Sequence, residues 1–286
     1  METKATRDAV ISPRVFLITG ASRGFGRLWA EALLKRGDKV AATARNLDHL
    51  NDLVKKYGDA VLTLKLDVNN REQSFEVVRQ TEDHFGRIDV LINNAGYGLF
   101  GAIEETSEQE AREQIDTNFF GVLWLSQAVL PVMREQKSGH IIQVSSMLGL
   151  VALPVLGLYN ASKFAVEGLT ETLAAEVADF GIRVSLIEPN GYSTDWAGAS
   201  AIQTIQTETY GPLKKAFFEG LSPDSWGQPE ATVDAIIKLI DSPNPPLRLL
   251  LGKVAYSLVK QNYEKRFAEV EEWKAVSEAA HGNMKI

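Results

Sequence analysis

Cysteine is missing from all 286 residues. The chain therefore has no disulfide, no thiolate nucleophile and no thiolate metal site, and its redox compartment is left open. Basic residues are in the minority: the formal net charge of -7 argues against a general binder of nucleic acid or anionic membrane, because both need a basic face. Long apolar runs are absent as well. The longest, around Leu148 to Leu158, is broken by Gly149, Pro154 and Gly157, so no membrane insertion is expected. Histidine is scarce, and His49, His84, His140 and His281 show no paired His-x-x-x-His spacing, so no metal is expected. Met1 to Pro13 carries no apolar core and reads as a frayed tail (1-13) rather than a secretory signal, which makes the chain cytoplasmic by expectation.

What remains is an ordinary globular composition, 45% hydrophobic and 23% charged, able to bury a large core. No linker, charge run or repeat divides it, so 1-286 is read as one domain.

The stretch Tyr159-Asn160-Ala161-Ser162-Lys163 carries the sharpest chemistry. As helix it sets a phenol and an ammonium on one face, about 6 Å apart along the axis. A fixed positive charge favours phenolate, pulling the phenol toward neutrality and fitting it to exchange a proton with a substrate oxygen. The same spacing recurs at Tyr210/Lys214 and Tyr256/Lys260. Gly211 and Pro212 argue against a helical turn at the first, and only Tyr159 has a serine, Ser146, thirteen residues upstream.

Val15 to Thr19 is a short apolar run suited to a buried strand, and it opens into Gly20-Ala21-Ser22-Arg23-Gly24-Phe25-Gly26 before a helical pattern that ends near Gly37. Glycines there allow a tight turn and let backbone N–H groups and a helix N-terminus approach a phosphate. The spacing departs from Gly-x-Gly-x-x-Gly, and a glycine-rich turn with no ligand is the plain alternative. The next strand, Lys39 to Ala44, ends in Arg45 with no carboxylate to hold the adenosine ribose; together with Arg23 this suits a 2′-phosphate, hence NADP, against two merely solvated arginines.

Strand and helix then alternate: Val61 to Leu66, Arg71 to Phe85, and Ile88 to Asn93. That beat belongs to an α/β doubly wound parallel sheet with right-handed crossovers. Asp67-Val68 and Asn93-Asn94-Ala95-Gly96 lie at strand ends, where ligands bind, although Asp67 is equally suited to the N-cap region of the following helix. Ser107-Glu108-Gln109-Glu110 is a capping box opening a long helix, with an apolar stripe of Ala111, Ile115, Phe119, Val122 and Leu123. Asn118 falls on that stripe, either satisfied by local backbone or serving as a functional amide. Strand five, His140 to Val144, delivers Ser145 and Ser146; strand six, Arg183 to Ile187, ends in Glu188-Pro189-Asn190-Gly191.

Over roughly the first 195 residues these motifs stand in the order of the short-chain dehydrogenase/reductase family, which the chain resembles: Thr19-Gly20-x-x-x-Gly24-x-Gly26, Asp67-Val68, Asn93-Asn94-Ala95-Gly96, Asn118, Ser146, Tyr159-x-x-x-Lys163 and Pro189-x-Gly191-x-x-Thr194. The resemblance implies a Rossmann-type sheet of about seven parallel strands flanked by helices. It implies Tyr159 as acid/base, Lys163 lowering its pKa and binding nicotinamide ribose, Ser146 polarising the carbonyl, and Asn118 holding a water in a proton relay. Gly20, Ser22, Arg23, Gly24, Phe25 and Gly26 would line NADP(H), as would Arg45, Asp67, Val68, Asn94, Ala95 and Gly96. Pro189, Gly191 and Thr194 would sit near the nicotinamide. The substrate would meet Ser146, Leu148, Leu153, Tyr159, Asn190, Tyr192 and Trp196. Many family members have glycine where this chain has Asn190, which adds an amide beside the nicotinamide and bears on substrate preference.

Residues 192-225 stand where the family carries a substrate lid, with an ordinary helical insertion as the alternative. A helix is expected at Pro229 to Ile240 and a seventh strand at Leu247 to Gly252, in a stretch similar to the 17-beta-hydroxysteroid and retinol dehydrogenase-like branch. The C-terminal extension, 253-286, is read as helical from Val254 to Ala280 with Trp273 on it, sealing the pocket or meeting another subunit in a homodimer or homotetramer. Glu104-Glu105 read as solvated. The expected activity is interconversion of an apolar ketone or aldehyde and its alcohol. Non-catalytic dinucleotide sensing and an epimerase or dehydratase reaction are the rival readings.

Overall fold

The computed structural model describes residues 13–194, 201–222 and 225–282. Its strands are β1 (Val15–Ile18), β2 (Lys39–Ala44), β3 (Val61–Lys65), β4 (Val90–Asn93), β5 (Leu99–Phe100), β6 (Gly139–Val144), β7 (Ile182–Pro189), β8 (Ile202–Gln203) and β9 (Arg248–Leu251). The helices are α1 (Gly24–Arg36), α2 (Asn51–Tyr57), α3 (Arg71–Phe85), α4 (Glu108–Ile115), α5 (Gly121–Gln136), α6 (Gly157–Val177), α7 (Gly211–Glu219), α8 (Thr232–Asp241), α9 (Lys253–Glu272) and α10 (Lys274–Ala279).

Seven strands form one parallel sheet in the order β3-β2-β1-β4-β6-β7-β9. Their near-continuous apolar sequences follow from burial on both faces. Successive side chains alternate between two cores: Phe16, Ile18, Ile92 and Ile142 pack toward α1 and α8, while Leu17, Leu91 and Ile141 pack toward α3 and α5. Trp29 of α1 donates from its indole to Thr232 Oγ1 of α8 at 2.9 Å, tying one helical layer together. The strand order reverses between β1 and β4, which opens a crevice beyond their carboxyl ends.

Several expectations shift in the structure. The capping box is real: Glu110 N donates to Ser107 Oγ at 3.2 Å and Ser107 N to Glu110 Oε2 at 2.8 Å. The helix it opens is interrupted by a wide π-turn at Asp116–Phe120; Val122 and Phe119 of the expected stripe pack against Val166 and Leu186, and the amides of Gln114 and Asn118 are buried as well, both 0% exposed. These two amides satisfy the irregular backbone after β4. Leu99 N donates to Gln114 Oε1 at 2.9 Å, and Tyr97 N to Asn118 Oδ1 at 3.1 Å. Asp67 is not the cap of α3; Asn70 is, accepting from Gln73 N.

Gly211 and Pro212 begin helix α7 rather than break one, and Tyr210 stands at its N-cap. Glu105 is buried instead of solvated. It accepts from Lys214 Nζ at 2.6 Å and from Thr207 N at 2.7 Å. Tyr210 Oη donates to Glu104 at 2.5 Å, and β8 pairs in parallel with β5, so the described segment 201–222 is strapped to the segment after β4. The C-terminal helix divides at Trp273, which is 64% exposed. The start of α9 packs on the body through Ala255, Leu258 and Val259, and further along it Arg266 donates to Leu150 O at 2.9 Å and lies over the Phe164 ring. Among the described residues no helix is long and apolar enough to cross a membrane, and no cluster of His, Asp or Glu is placed to hold a metal ion.

Candidate active site

A cleft of about 600 Å³ opens at the carboxyl ends of β1, β2, β3, β4, β6 and β7. One end is the glycine loop. Gly20 (φ 66°) and Gly24 (φ 55°) adopt left-handed backbone that a side chain would strain. Asn94, at the end of β4, locks the loop: its Nδ2 donates to Thr19 O at 2.9 Å and Gly20 O at 3.2 Å, and Asn94 N and Ala95 N donate to Thr19 Oγ1. Gly26 does not line the cleft; it lets α1 close on the loop, since a Cβ there would lie 2.5 Å from both Asn94 Nδ2 and Gly20 O.

The first turn of α1 holds no acidic residue, and its N-cap, Arg23, makes no side-chain capping bond. Its N–H groups thus present partial positive charge to the cleft. Arg23 and Arg45 both line this end, and among the described residues neither is paired with a carboxylate. Ser22, Phe25, Asp67, Val68, Asn94, Ala95 and Gly96 line it too. The lining fits an elongated dinucleotide with phosphates at the loop. Phe25 stacks on Trp29 and meets Tyr192 edge-on, with centroids at 5.1 Å and 5.2 Å, so Tyr192 serves the floor beneath the loop as well as the cleft wall.

At the other end Ser146, Tyr159 and Lys163 converge, with Pro189, Gly191 and Thr194 close by. Tyr159 and Lys163 rise from consecutive turns of α6, both 5% exposed. Lys163 Nζ donates to Val144 O at 2.8 Å and lies 5.7 Å from the Tyr159 ring centroid. Burial pushes the Tyr159 phenol well above its ordinary value, and the Ser146 hydroxyl, hydrogen-bonded to it, pulls the other way. The expectation that the ammonium draws the phenol toward neutrality is therefore corrected: the lysine faces the ring and bonds a carbonyl, so desolvation dominates. Burial also lowers Lys163 to about 8, opposed by the negative charge of Glu167; the ammonium persists at neutral pH. Ser146 Oγ further accepts from Leu148 N at 3.1 Å and donates to Pro189 O at 3.3 Å.

Asn118 stands behind this wall and does not line the cleft. Its Nδ2 donates to Tyr97 O at 3.0 Å and Ser162 Oγ at 3.1 Å, so its amide is occupied by partners distant in sequence rather than by its local backbone. Gly96 gives Asn118 room, since a Cβ there would sit 3.1 Å from Asn118 Oδ1. Leu148 lines the cleft, but Leu153 faces a separate apolar hollow with Ile103, Pro154 and Phe164. Trp196 lies outside the described residues. Asn190 lines the cleft, yet its amide turns away to donate to Ser225 O at 2.7 Å and Gly191 O at 3.0 Å.

Sequence reasoning missed Tyr97, Thr117 and Asn69 on the lining. Thr117 Oγ1 donates to Asn69 Oδ1 at 3.0 Å, closing the wall between β3 and the π-turn. Tyr97 directly follows the Asn-Asn-Ala-Gly run, and that adjacency was the available signal.

Residues 14–204 match the family model described as short chain dehydrogenase. The chain is 41% identical to "Oxidoreductase BOA17" of Botryotinia fuckeliana over 271 residues, 93% of this chain and 99% of that protein. It is 38% identical to a 3-ketodihydrosphingosine reductase of Bacteroides thetaiotaomicron over 258 residues, 87% of this chain and 91% of that one. With human retinol dehydrogenase 8 it shares 37% over 254 residues, 83% and 81% of the two chains. Among solved structures, a short-chain dehydrogenase from Streptomyces avermitilis superposes with a TM-score of 0.87 at 37% identity, covering 94% of this chain and 98% of that one. An alcohol dehydrogenase from Thermococcus sibiricus complexed with 5-hydroxy-NADP gives 0.70 at 28%, covering 85% and 97%. A Burkholderia phymatum relative in complex with NAD gives 0.79 at 25%, covering 90% and 95%. Motif order, sheet order and these matches agree: the chain belongs to the short-chain dehydrogenase family of oxidoreductases.

Proposed function

We propose that the protein interconverts an apolar ketone or aldehyde and its alcohol using NADP(H). The observation that carries this reading is the convergence of Ser146 and Tyr159 over Lys163 at one end of a cleft whose other end is a glycine loop flanked by Arg23 and Arg45. The loop, the α1 N-terminus and the two arginines would hold the phosphates, and Lys163 the nicotinamide ribose. When bound, the coenzyme supplies or accepts the hydride. The chain's own task is the proton. Tyr159, kept protonated by burial, donates from its hydroxyl to the carbonyl oxygen as that atom gains charge. Ser146 donates a second hydrogen bond there, a contribution of about 2.7 to 4 kcal/mol for donors of this kind.

Support for an apolar substrate comes from the surroundings of Tyr159, which packs with Phe100, Met147, Leu148, Val151 and Leu156, and with Phe217 from the lid region. The relatives named for a ketodihydrosphingosine and for retinol point the same way. Aryl and aliphatic ketones, steroids and retinoids are the classes to assay. NADPH oxidation followed against that panel is the test: turnover on apolar carbonyls supports the reading, and no turnover on any member defeats it.

A further inference from the structure

Behind Lys163 lies a group of buried acids that proton exchange at Tyr159 does not use. Tyr159, Lys163 and Glu167 follow at four-residue intervals on α6 and share one helix face. Opposite Glu167, on β7, Glu188 is 0% exposed and immediately precedes Pro189 of the cleft. Arg248 of β9 brings its Nε to 3.1 Å from Glu167 Oε2 and 3.5 Å from Glu188 Oε1, so the two carboxyls meet around one nitrogen. Its other arm reaches Glu171, whose carboxylate is largely in solvent, at 2.7 Å.

One guanidinium shared in this way does not neutralise two buried acids. By strict geometry neither Glu188 oxygen nor Glu167 Oε1 has a hydrogen-bond partner among the described residues; their looser contacts are with each other and, for Glu167, with the Ser145 hydroxyl. Two carboxylates can only accept; a proton carried by one makes it the donor that the other lacks. The charged groups facing the pair are Lys163 and Glu171 from α6 and Arg248 from β9, with the Ser145 hydroxyl at the end of β6. Burial pushes Glu188 up to about 8, and the charge on Glu167 adds to the rise; burial raises Glu167 too.

We propose that Glu167 and Glu188 share one proton behind the catalytic helix face, and that their charge keeps Lys163 an ammonium, making Glu167 a positioning residue. This rests on the reading of Tyr159 and Lys163 given above. The pair carries one negative charge while the proton is held and two once it leaves. The second charge thus arrives in the same pH range in which Lys163, lowered by burial against the opposing charge of Glu167, gives up its proton.

The test compares the parent with Glu167→Gln, Glu167→Asp and Glu188→Gln. Each is followed by the pH profile of kcat in NADPH-driven carbonyl reduction and by infrared titration of the protonated carboxyl stretch. Glu167→Gln is expected to move the alkaline limb of kcat down by about 1 pH unit or more, and Glu167→Asp to restore it. Glu188→Gln, which resembles the protonated acid, is expected to abolish a carboxyl band that titrates near neutrality in the parent. An unmoved limb in Glu167→Gln, or the same band in Glu188→Gln, overturns the proposal. A parent that reduces no carbonyl has instead failed the functional reading; the infrared titration needs no turnover and still decides the shared proton.

Discussion

Asn190 Oδ1 fills the space that a side chain on Gly252 would need: a Cβ there would fall 1.2 Å from it. Gly252 also sits at φ 101°, whereas Asn190 needs no left-handed backbone. The asparagine that departs from the family's usual glycine is thus accommodated from behind by a glycine at the start of α9, and its amide links β7 to Ser225. Gly252→Ala should lower stability by about 2 kcal/mol or more, from crowding and backbone strain together. Asn190→Gly in that background should recover the crowding part. Urea denaturation of the two single variants and the double variant checks this; strictly additive losses would mean the two residues do not share the space.

Arg45 stands at the end of β2, without an ion pair among the described residues, and Arg23 faces the same end of the cleft. If these two cations receive a 2′-phosphate, Arg45→Ala should raise KM for NADPH by about 10-fold or more, a charge-assisted hydrogen bond being worth about 1.5 to 3 kcal/mol. KM for NADH should barely change. Steady-state kinetics with both coenzymes decides it, and equal changes would remove the basis for NADP preference.

The Glu105–Lys214 contact makes the segment 201–222 sensitive to acid. Burial alone would raise the Glu105 carboxyl, but Lys214, the Thr207 and Ala102 N–H groups and the Thr207 hydroxyl outweigh it and hold the group at about 2, below its ordinary 4.5. A carboxyl depressed on folding contributes stability that is complete above the unfolded value and is lost as pH falls through the folded one. Amide exchange across 201–222 should therefore accelerate between pH 4.5 and about 2. Lys214→Met should show the faster exchange already at neutral pH. Exchange in that segment that is indifferent to both would show that the strap does not hold it.

Most of the frame was legible because parallel strands buried on both faces read as short apolar runs, as Phe16, Leu17 and Ile18 do. Ser146, Tyr159 and Lys163 were legible because their chemistry needs particular residue types at fixed separations. Polar residues defined by distant partners were not. Glu104-Glu105 looks like any solvated acidic pair, and only Lys214 and Thr207, far along the chain, bury Glu105. Gln114 drew no notice because its partners are main-chain groups of residues 97 and 99. The Tyr210/Lys214 repeat, set aside because Gly211 and Pro212 argued against a helical turn, is the strap itself. The sign of the Tyr159 shift was misjudged for a different reason: spacing gives the distance between two side chains along a helix but not how deeply both are buried.

Turnover of Tyr159→Phe, measured beside NADPH affinity, tests the central claim most directly. The substitution keeps the ring and removes the exchangeable proton, so kcat for carbonyl reduction should fall by about 100-fold or more, with the Kd for NADPH within a few-fold of the parent. A variant that reduces the same carbonyl at the parent rate would contradict the assignment of Tyr159 as the proton donor.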